Sequence, residues 1–245
     1  MPYFLVLLSF LISGASNQIQ KEIDISICEK RDSKLCAEYI KSLYQKNRTK
    51  EAEEVAKKFC SEKMVDVCIA GATVSSFLYH YEECTLLLKG VCSEKEPVAC
   101  AILSDCLFEL GRVEESLIPA KIACEKNIYD ACSTVAAYYL NKNLKGEAII
   151  WARRGCEGGS SMSCGATSAL FVSDGEFKEA FEFARKGCLL NDRNSCKAAG
   201  LCCTKLRYGC EQEYYEKCCK LKDKECCNLI KKTEIDKKKG DSDFK

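Results

Sequence analysis

The chain has 245 residues, of which 47% are apolar and 30% are charged, and its formal net charge is +1. This balance provides no bulk field that would attract nucleic acid or an anionic membrane surface, so we expect no nucleic-acid partner. The 21 cysteines indicate an oxidising compartment, because so many thiols in a reducing cytosol would be a hazard. The protein is therefore predicted to be secreted or periplasmic.

Residues 1–16 have the character of a secretory signal peptide. The apolar run over residues 4–12 is too short to span a bilayer comfortably, and Ser13, Gly14 and Ala15 offer a cleavage site. A positive segment ahead of the run is missing, so an uncleaved membrane anchor is the competing interpretation. No later segment is apolar enough to cross a membrane, and we expect no span after signal cleavage.

A Cys-x7-Cys pair recurs along the chain at intervals of 32 residues. Six pairs keep this interval and a seventh arrives one residue early. In chain order they are Cys28 with Cys36, Cys60 with Cys68, Cys92 with Cys100, Cys124 with Cys132, Cys156 with Cys164, Cys188 with Cys196, and Cys219 with Cys227. A repeat of this length indicates a solenoid, in which each unit packs only on its neighbours.

Structural zinc is the rival explanation for cysteines at a regular spacing. Zinc sites favour shorter gaps between cysteines, together with histidines, and His80 is the one histidine of the chain. The seven regular pairs are therefore predicted to be disulfides, with no metal and no cofactor.

Within each repeat the pattern is helix, turn, helix and cysteine pair. Residues 132–140 form an apolar run that ends at a turn marked by Asn141 and Asn143. In the following repeat, residues 176–187 show the amphipathic spacing of a second helix. The fold class is predicted to be all-α: an α/α solenoid of about six to seven helix-turn-helix repeats over residues 17–228, stapled by disulfides. Each staple would join the second helix of one repeat to the first helix of the next.

The segment 184–200 resembles the repeat junction of the cysteine-rich Sel1-like repeat proteins, which are related to tetratricopeptide (TPR) repeat proteins. In that family a Cys-x7-Cys pair also bridges consecutive helical hairpins. The positions that match the shared pattern are Tyr139 and Phe171, Ala148 and Ala180, and Gly155 and Gly187. The resemblance covers about residues 28–228 and implies Sel1/TPR-like helical hairpins. The 32-residue period is shorter than the usual unit of that family.

Seven cysteines stand outside the regular pairs. Cys84 and Cys106 lie at similar distances on either side of the third pair, so a second bridge between them is predicted. The others are clustered near the end of the chain: Cys202, Cys203, Cys210, Cys218 and Cys226. The spacing pairs Cys202 with Cys210 and Cys218 with Cys226, but adjacent cysteines leave the partners open, and the odd total leaves one unpaired. Residues 229–245 are charged and are predicted to be a disordered tail.

The sequence contains no catalytic signature. Relatives in the resembling family have been associated with β-lactam binding and hydrolysis, which implies weak binding or hydrolysis of a β-lactam or a peptidoglycan fragment as one alternative. A serine β-lactamase combines Ser-x-x-Lys, Ser-Asp-Asn and Lys-Thr-Gly motifs, and this combination does not occur in the chain. A metal-dependent enzyme of that type would need several histidines. The protein is therefore predicted not to be an enzyme.

A binding surface is expected where the first helices of the repeats line the concave side of the solenoid. Positions five and eight residues after each second cysteine locate that surface: Lys41, Tyr44, Thr73, Asp105, Phe108, Leu140 and Val172. The alternative is that Phe108, Leu140 and Val172 simply pack between helices. The predicted function is a protein- or peptide-binding adaptor or host-interaction factor. A purely structural secreted protein is the other alternative.

Overall fold

The computed structural model describes residues 25–61 and 63–230. The predicted signal peptide, residues 1–16, lies outside these residues, and so does the predicted tail from residue 231 onward. The domain boundaries drawn from the sequence therefore stay predictions. Within the described ranges the regular structure consists of α-helices, with no strand.

The helices form consecutive pairs, and each pair is one repeat. We call the first helix of a repeat its A-helix and the second its B-helix. Repeats 1 to 6 are α2 (Ser33–Gln45) with α3 (Thr49–Phe59), α4 (Val65–Phe77) with α5 (Tyr81–Leu88), α6 (Pro97–Glu109) with α7 (Val113–Glu125), α8 (Ala131–Asn141) with α9 (Lys145–Glu157), α10 (Ser161–Asp174) with α11 (Phe177–Leu189), and α12 (Arg193–Leu206) with α13 (Glu211–Lys220). A short helix, α1 (Ser26–Glu29), precedes repeat 1, and α14, residues 224–230, follows repeat 6. This arrangement confirms the predicted solenoid of helical pairs.

The turn inside each repeat has the same backbone conformation in all six. One residue at 32-residue intervals has a left-handed φ between 56° and 77°: Asn47, Tyr79, Gly111, Asn143, Gly175 and Arg207. Glycine and asparagine adopt this conformation at low cost, and it ends an A-helix while turning the chain towards its B-helix. The sequence period thus sets the period of the backbone as well as that of the cysteines.

The regular disulfides join consecutive repeats. All seven Cys-x7-Cys pairs are bonded, with Cα–Cα separations of 4.4–4.9 Å. The bonds run from Cys28 to Cys36, Cys60 to Cys68, Cys92 to Cys100, Cys124 to Cys132, Cys156 to Cys164, Cys188 to Cys196, and Cys219 to Cys227. Each staple links the end of α1 or of a B-helix to the first turn of the following helix. A loop of this size stabilises a fold by about 2.5 kcal/mol in the chain-entropy account.

One junction carries a second covalent tie. Cys84 of α5 is bonded to Cys106 of α6, with a Cα–Cα separation of 6.3 Å. The predicted bridge around the third staple is therefore present, and repeats 2 and 3 are joined twice.

The cysteines near the end of the chain follow a different rule. Cys203 is bonded to Cys210, and Cys218 to Cys226, while Cys202 is a free, buried thiol. The pairing of Cys202 with Cys210, which equal spacing favours, is therefore not the one that forms. Successive residues of a helix project about 100° apart, so only one of the two neighbours can face Cys210.

The staples lie where two helices approach very closely. Gly187 immediately precedes the staple cysteine Cys188, and a Cβ atom there would lie 2.2 Å from Ser195 Oγ. Gly155 immediately precedes Cys156, and a Cβ atom there would lie 2.2 Å from Ser163 Oγ. A side chain at either position would push the B-helix away from the next A-helix. This close approach accounts for the small residue at these positions of the repeat.

The A-helices and B-helices occupy different surfaces of the solenoid. Each A-helix of repeats 1 to 5 packs against the A-helix of the next repeat, whereas B-helices of consecutive repeats have an appreciable contact only between α9 and α11. The A-helices therefore line the tighter, inner side and the B-helices the wider, outer side. None of the helices in the described ranges has both the length and the apolar character needed to span a bilayer.

Candidate functional site

The predicted binding residues all lie on A-helices, but their side chains fall into two groups. Three are engaged within the solenoid. The Thr73 hydroxyl donates to the carbonyl of Ile69 at 2.7 Å, and Asp105 accepts a hydrogen bond from Thr134 of the next repeat at 3.2 Å. Val172 packs against a core cluster that includes Phe171. These side chains help to join or fill the repeats rather than facing solvent freely.

The other group is accessible. Lys41 is exposed, and Tyr44 is half-buried with its ring stacked on Phe77 at a centroid distance of 5.9 Å. Phe108 and Leu140 occupy the same position in repeats 3 and 4 and are 36% and 38% exposed. Large apolar side chains that remain this accessible at equivalent positions of neighbouring repeats are the strongest candidates for contact with a partner.

The structure adds apolar side chains that the sequence interpretation missed. Val98 and Met162 lie two residues before a staple cysteine in α6 and α10, and they are 46% and 42% exposed. The corresponding residues of the other A-helices are Lys34, Asp66, Asp130 and Asn194. The sequence therefore carried a signal for these two residues: the position is polar in the other four repeats and apolar in repeats 3 and 5. We call Val98, Phe108, Leu140 and Met162 the inner apolar set.

The one histidine belongs to a polar cluster at the junction of repeats 1 and 2. His80 Nδ1 lies 2.8 Å from Glu53 Oε1, and the Ser75 hydroxyl donates to the same oxygen at 2.9 Å. Ser75 is buried, and its hydroxyl is directed at the carboxylate rather than at the imidazole. A nucleophilic serine needs a base that can take its proton and an accessible oxygen. This cluster instead ties α3 to α4 and to the start of α5.

The cysteine-rich end of the chain does not form a reactive centre in this structure. Burial raises the pKa of the Cys202 thiol to about 11, and a protonated buried thiol is a poor nucleophile. Cys218, Asp223 and Cys226 bring three ligand atoms within 4.8 Å of one another. Their sulfur atoms are bonded to each other, however, and Asp223 accepts a hydrogen bond from the backbone of Cys226 at the start of α14. This group is a disulfide with a helix cap.

Two cavities lie away from the inner apolar set. One of about 530 Å³ is lined by Arg31, Lys58, Phe59 and Lys63 near the first two staples. The other, of about 300 Å³, lies between α5 and α7 and has apolar walls that include Leu86, Leu107 and Ile118. Neither cavity is lined by a residue of the inner apolar set.

Similarity to known proteins is found at the level of structure. Neither a family profile nor a curated protein sequence matches this chain. The C-terminal part of a TPR repeat-containing protein from Cytophaga hutchinsonii aligns with a TM-score of 0.53 and 16% identity, over 76% of this chain and 78% of that one. PilF of Pseudomonas aeruginosa aligns with a TM-score of 0.60 and 11% identity, over 78% and 91%. The chain has a TPR-like fold.

A third similar structure is YrrB, described as a TPR protein with an unusual peptide-binding site. It aligns with a TM-score of 0.51 and 16% identity, over 68% of this chain and 91% of that one. At these identities the likeness establishes the fold alone. The narrower resemblance to Sel1-like repeats continues to rest on the residues of segment 184–200.

Proposed function

We propose that this protein is an exported adaptor that holds an extended segment of another protein along its inner, A-helix face. The observation that supports this function most directly is the inner apolar set, which keeps large apolar side chains accessible in three successive A-helices. TPR-like solenoids suit such a role because stacked repeats present a continuous surface. An extended chain with apolar side chains at regular intervals would be the matching ligand.

The proposal that the protein is exported is supported by its cysteines. Ten disulfides form among 21 cysteines, and the single remaining thiol is buried. Bonds of this number form and persist in oxidising compartments. The intact mass of the native protein from its host should correspond to a chain that begins near residue 17. It should also be lower than the mass of the reduced chain by the hydrogen atoms that ten disulfides remove. A reduced protein that keeps residues 1–16 would contradict export.

The inner, A-helix face, which we call the groove, is tested by selection of peptides on the oxidised protein from a random display library. The double variant that combines Phe108→Glu with Leu140→Glu should weaken binding of the selected peptides by about 10- to 100-fold, because two apolar contacts are replaced by charges. The matched control combines Leu144→Glu with Leu189→Glu, which makes the same charge change at exposed leucines near turns. Circular dichroism and thermal unfolding establish that both variants fold.

The result expected is loss of affinity in the groove variant and retention in the control. Failure to select any peptide, or equal affinity in all three proteins, would overturn the proposal. Hydrolysis of a β-lactam rests on the family resemblance alone, and no arrangement of the described residues favours it, so we do not propose it.

A further inference from the structure

The outer surface of the solenoid carries a row of exposed aliphatic side chains. Leu86 in α5, Ile118 in α7 and Ile150 in α9 lie 32 residues apart and are 72%, 70% and 62% exposed. We call them the outer apolar row. The same position holds Glu54 in α3 and Glu182 in α11, so the row is confined to repeats 2 to 4. Three aliphatic side chains in one line on the surface of a folded protein are typical of an interaction site.

Each residue of this row lies between two opposite charges on its own helix or, for Lys89, at the residue that caps it. Three residues before it is a glutamate and three residues after it is a lysine or arginine, and these spacings share one helical face. The flanking charges are Glu83 and Lys89, Glu115 and Lys121, and Glu147 and Arg153. An acidic start and a basic end are favoured by the helix dipole in any helix. The dipole does not explain the aliphatic side chain held between them in three repeats.

Several of these charges also make contacts within the chain. Lys57 of repeat 1 binds Glu83 at 2.9 Å, Arg112 binds Glu115, and Lys121 donates to the Tyr139 hydroxyl at 2.9 Å. Lys57 and Arg112 therefore offset the charges of Glu83 and Glu115 in the single copy. Exposed ion pairs of this kind are weak, so these carboxylates can exchange their partners for the cations of a second copy. The outer surface of repeats 2 to 4 is therefore an acidic stripe, an apolar row and a basic stripe, in that order along the B-helices.

We propose that this surface binds a second copy of the same chain. If the two copies are related by a two-fold axis parallel to the row, their B-helices run antiparallel. The acidic stripe of each copy then faces the basic stripe of the other, and each apolar residue meets its own counterpart because the axis runs along the row, which makes the interface isologous. A two-fold axis along the helices would place acid against acid and is disfavoured. The pattern is thus self-complementary in one arrangement.

The size of the surface predicts a weak dimer. The helix α5 has 8 residues and α7 and α9 have 13 each, so they are about 12, 20 and 20 Å long, and at roughly 10 Å of width per helix they present on the order of 500 Å² per copy. Stable interfaces usually bury ~800 Å² per partner, so dissociation should be seen on dilution. Leu86 and Ile118 also flank the 300 Å³ cavity between α5 and α7, which gives the contact some depth.

Sedimentation velocity of the oxidised full chain over a range of concentrations tests the proposal. The wild-type protein should shift from monomer to dimer as concentration rises, and high salt should weaken the dimer. Ile118→Glu, at the centre of the row, should leave a monomer at every concentration reached. Leu189→Glu, a matched change at a leucine that is exposed outside the row, should keep the wild-type behaviour.

A charge exchange tests the orientation of the two copies. Lys89→Glu and Glu83→Lys should each be monomeric, because each places like charges together in the antiparallel arrangement. Their equimolar mixture restores opposite charges at both contacts and should form the dimer again. A wild-type protein that stays monomeric, a dimer that survives Ile118→Glu, or a mixture that stays monomeric would overturn the proposal. The peptide groove is on the opposite surface, so its test is independent of this one.

Discussion

The regular staples differ from Cys202, Cys203 and Cys210 of repeat 6 in what determines which cysteines pair. Along most of the chain each cysteine of a Cys-x7-Cys pair meets one partner, and the helix ends that hold the pair are in close contact. In repeat 6, adjacent cysteines offer two partners at nearly the same spacing, and the structure selects Cys203 over Cys202 for Cys210. The bonds from Cys218 to Cys226 and from Cys219 to Cys227 keep the regular spacing although these cysteines are adjacent, so the spacing rule fails only at Cys210.

Packing decides the pairing where spacing does not. Cys202 is buried beside Phe171 and Ala180 of repeat 5, so its side chain forms part of the contact between repeats 5 and 6. The neighbouring Cys203 projects to a different side of α12 and reaches Cys210. A thiol at position 202 thus behaves as a small apolar side chain, while the next residue acts as a covalent tie.

Removal of a central staple should have the largest effect on stability. The double variant that combines Cys156→Ala with Cys164→Ala is expected to lower the free energy of unfolding by about 2–3 kcal/mol, because the unfolded chain regains the freedom of a closed loop. The same change at Cys219 and Cys227 should cost less, since a terminal unit borders one neighbour only. Urea unfolding followed by circular dichroism measures both. An equal loss at both sites would show that position along the solenoid does not matter.

The variant Cys203→Ser tests whether packing really selects the partner of Cys210. We expect Cys202 to stay buried and unbonded, so that the protein carries two free thiols and loses up to about 2.5 kcal/mol of stability. Peptide mapping by mass spectrometry without reduction identifies the bonds. Formation of a bridge between Cys202 and Cys210 would show that the adjacent cysteines are interchangeable after all.

The close approach of two helices at a regular staple is tested by adding one carbon atom, the Cβ of alanine, at a glycine. Gly187→Ala should destabilise the protein by about 1–2 kcal/mol, because the added Cβ would overlap Ser195 and overpacking outweighs the gain in helix propensity. Gly146→Ala is the matched control: it lies in α9 with open space around the new carbon, and it should stabilise by about 0.5–1 kcal/mol. Thermal unfolding gives both values, and a change of the same sign in both would contradict the packing argument.

The smallest effect is expected for the ion pair that links α12 to α14. Lys197 binds Glu225 at 2.8 Å, and this hydrogen bond raises the pKa of the Lys197 ammonium. Lys197→Met should cost less than about 1 kcal/mol at neutral pH, as is usual for a partly exposed pair. Because the pKa is raised in the folded state, the contribution is lost as the pH rises through it. The difference from wild type should therefore disappear in strongly alkaline or high-salt buffer, and a constant difference would exclude an ionic origin.

Much of the fold could be predicted from the sequence, because a fixed period constrains every repeat at once. The paired helices, the staples and the bridge between Cys84 and Cys106 all follow from positions 32 residues apart or placed around one junction. The pairing of Cys203 could not, since it depends on which side of α12 faces repeat 5. The predicted inner face was located on the A-helices, yet Thr73 and Asp105 proved to be engaged there. Thr73 bonds to a carbonyl of its own helix, whereas the partner of Asp105 comes from the next repeat, which a repeat pattern does not reveal.

The position of the staples also bears on how the chain would respond to a protease. The turn ahead of each A-helix lies inside the loop that a staple closes, and several of these turns carry basic residues such as Arg31, Lys63 and Lys126. Cleavage after one of them would open the backbone while the two pieces stay covalently joined through sulfur. A nicked molecule would keep its repeats in register, and its cuts would become visible only when the disulfides are reduced.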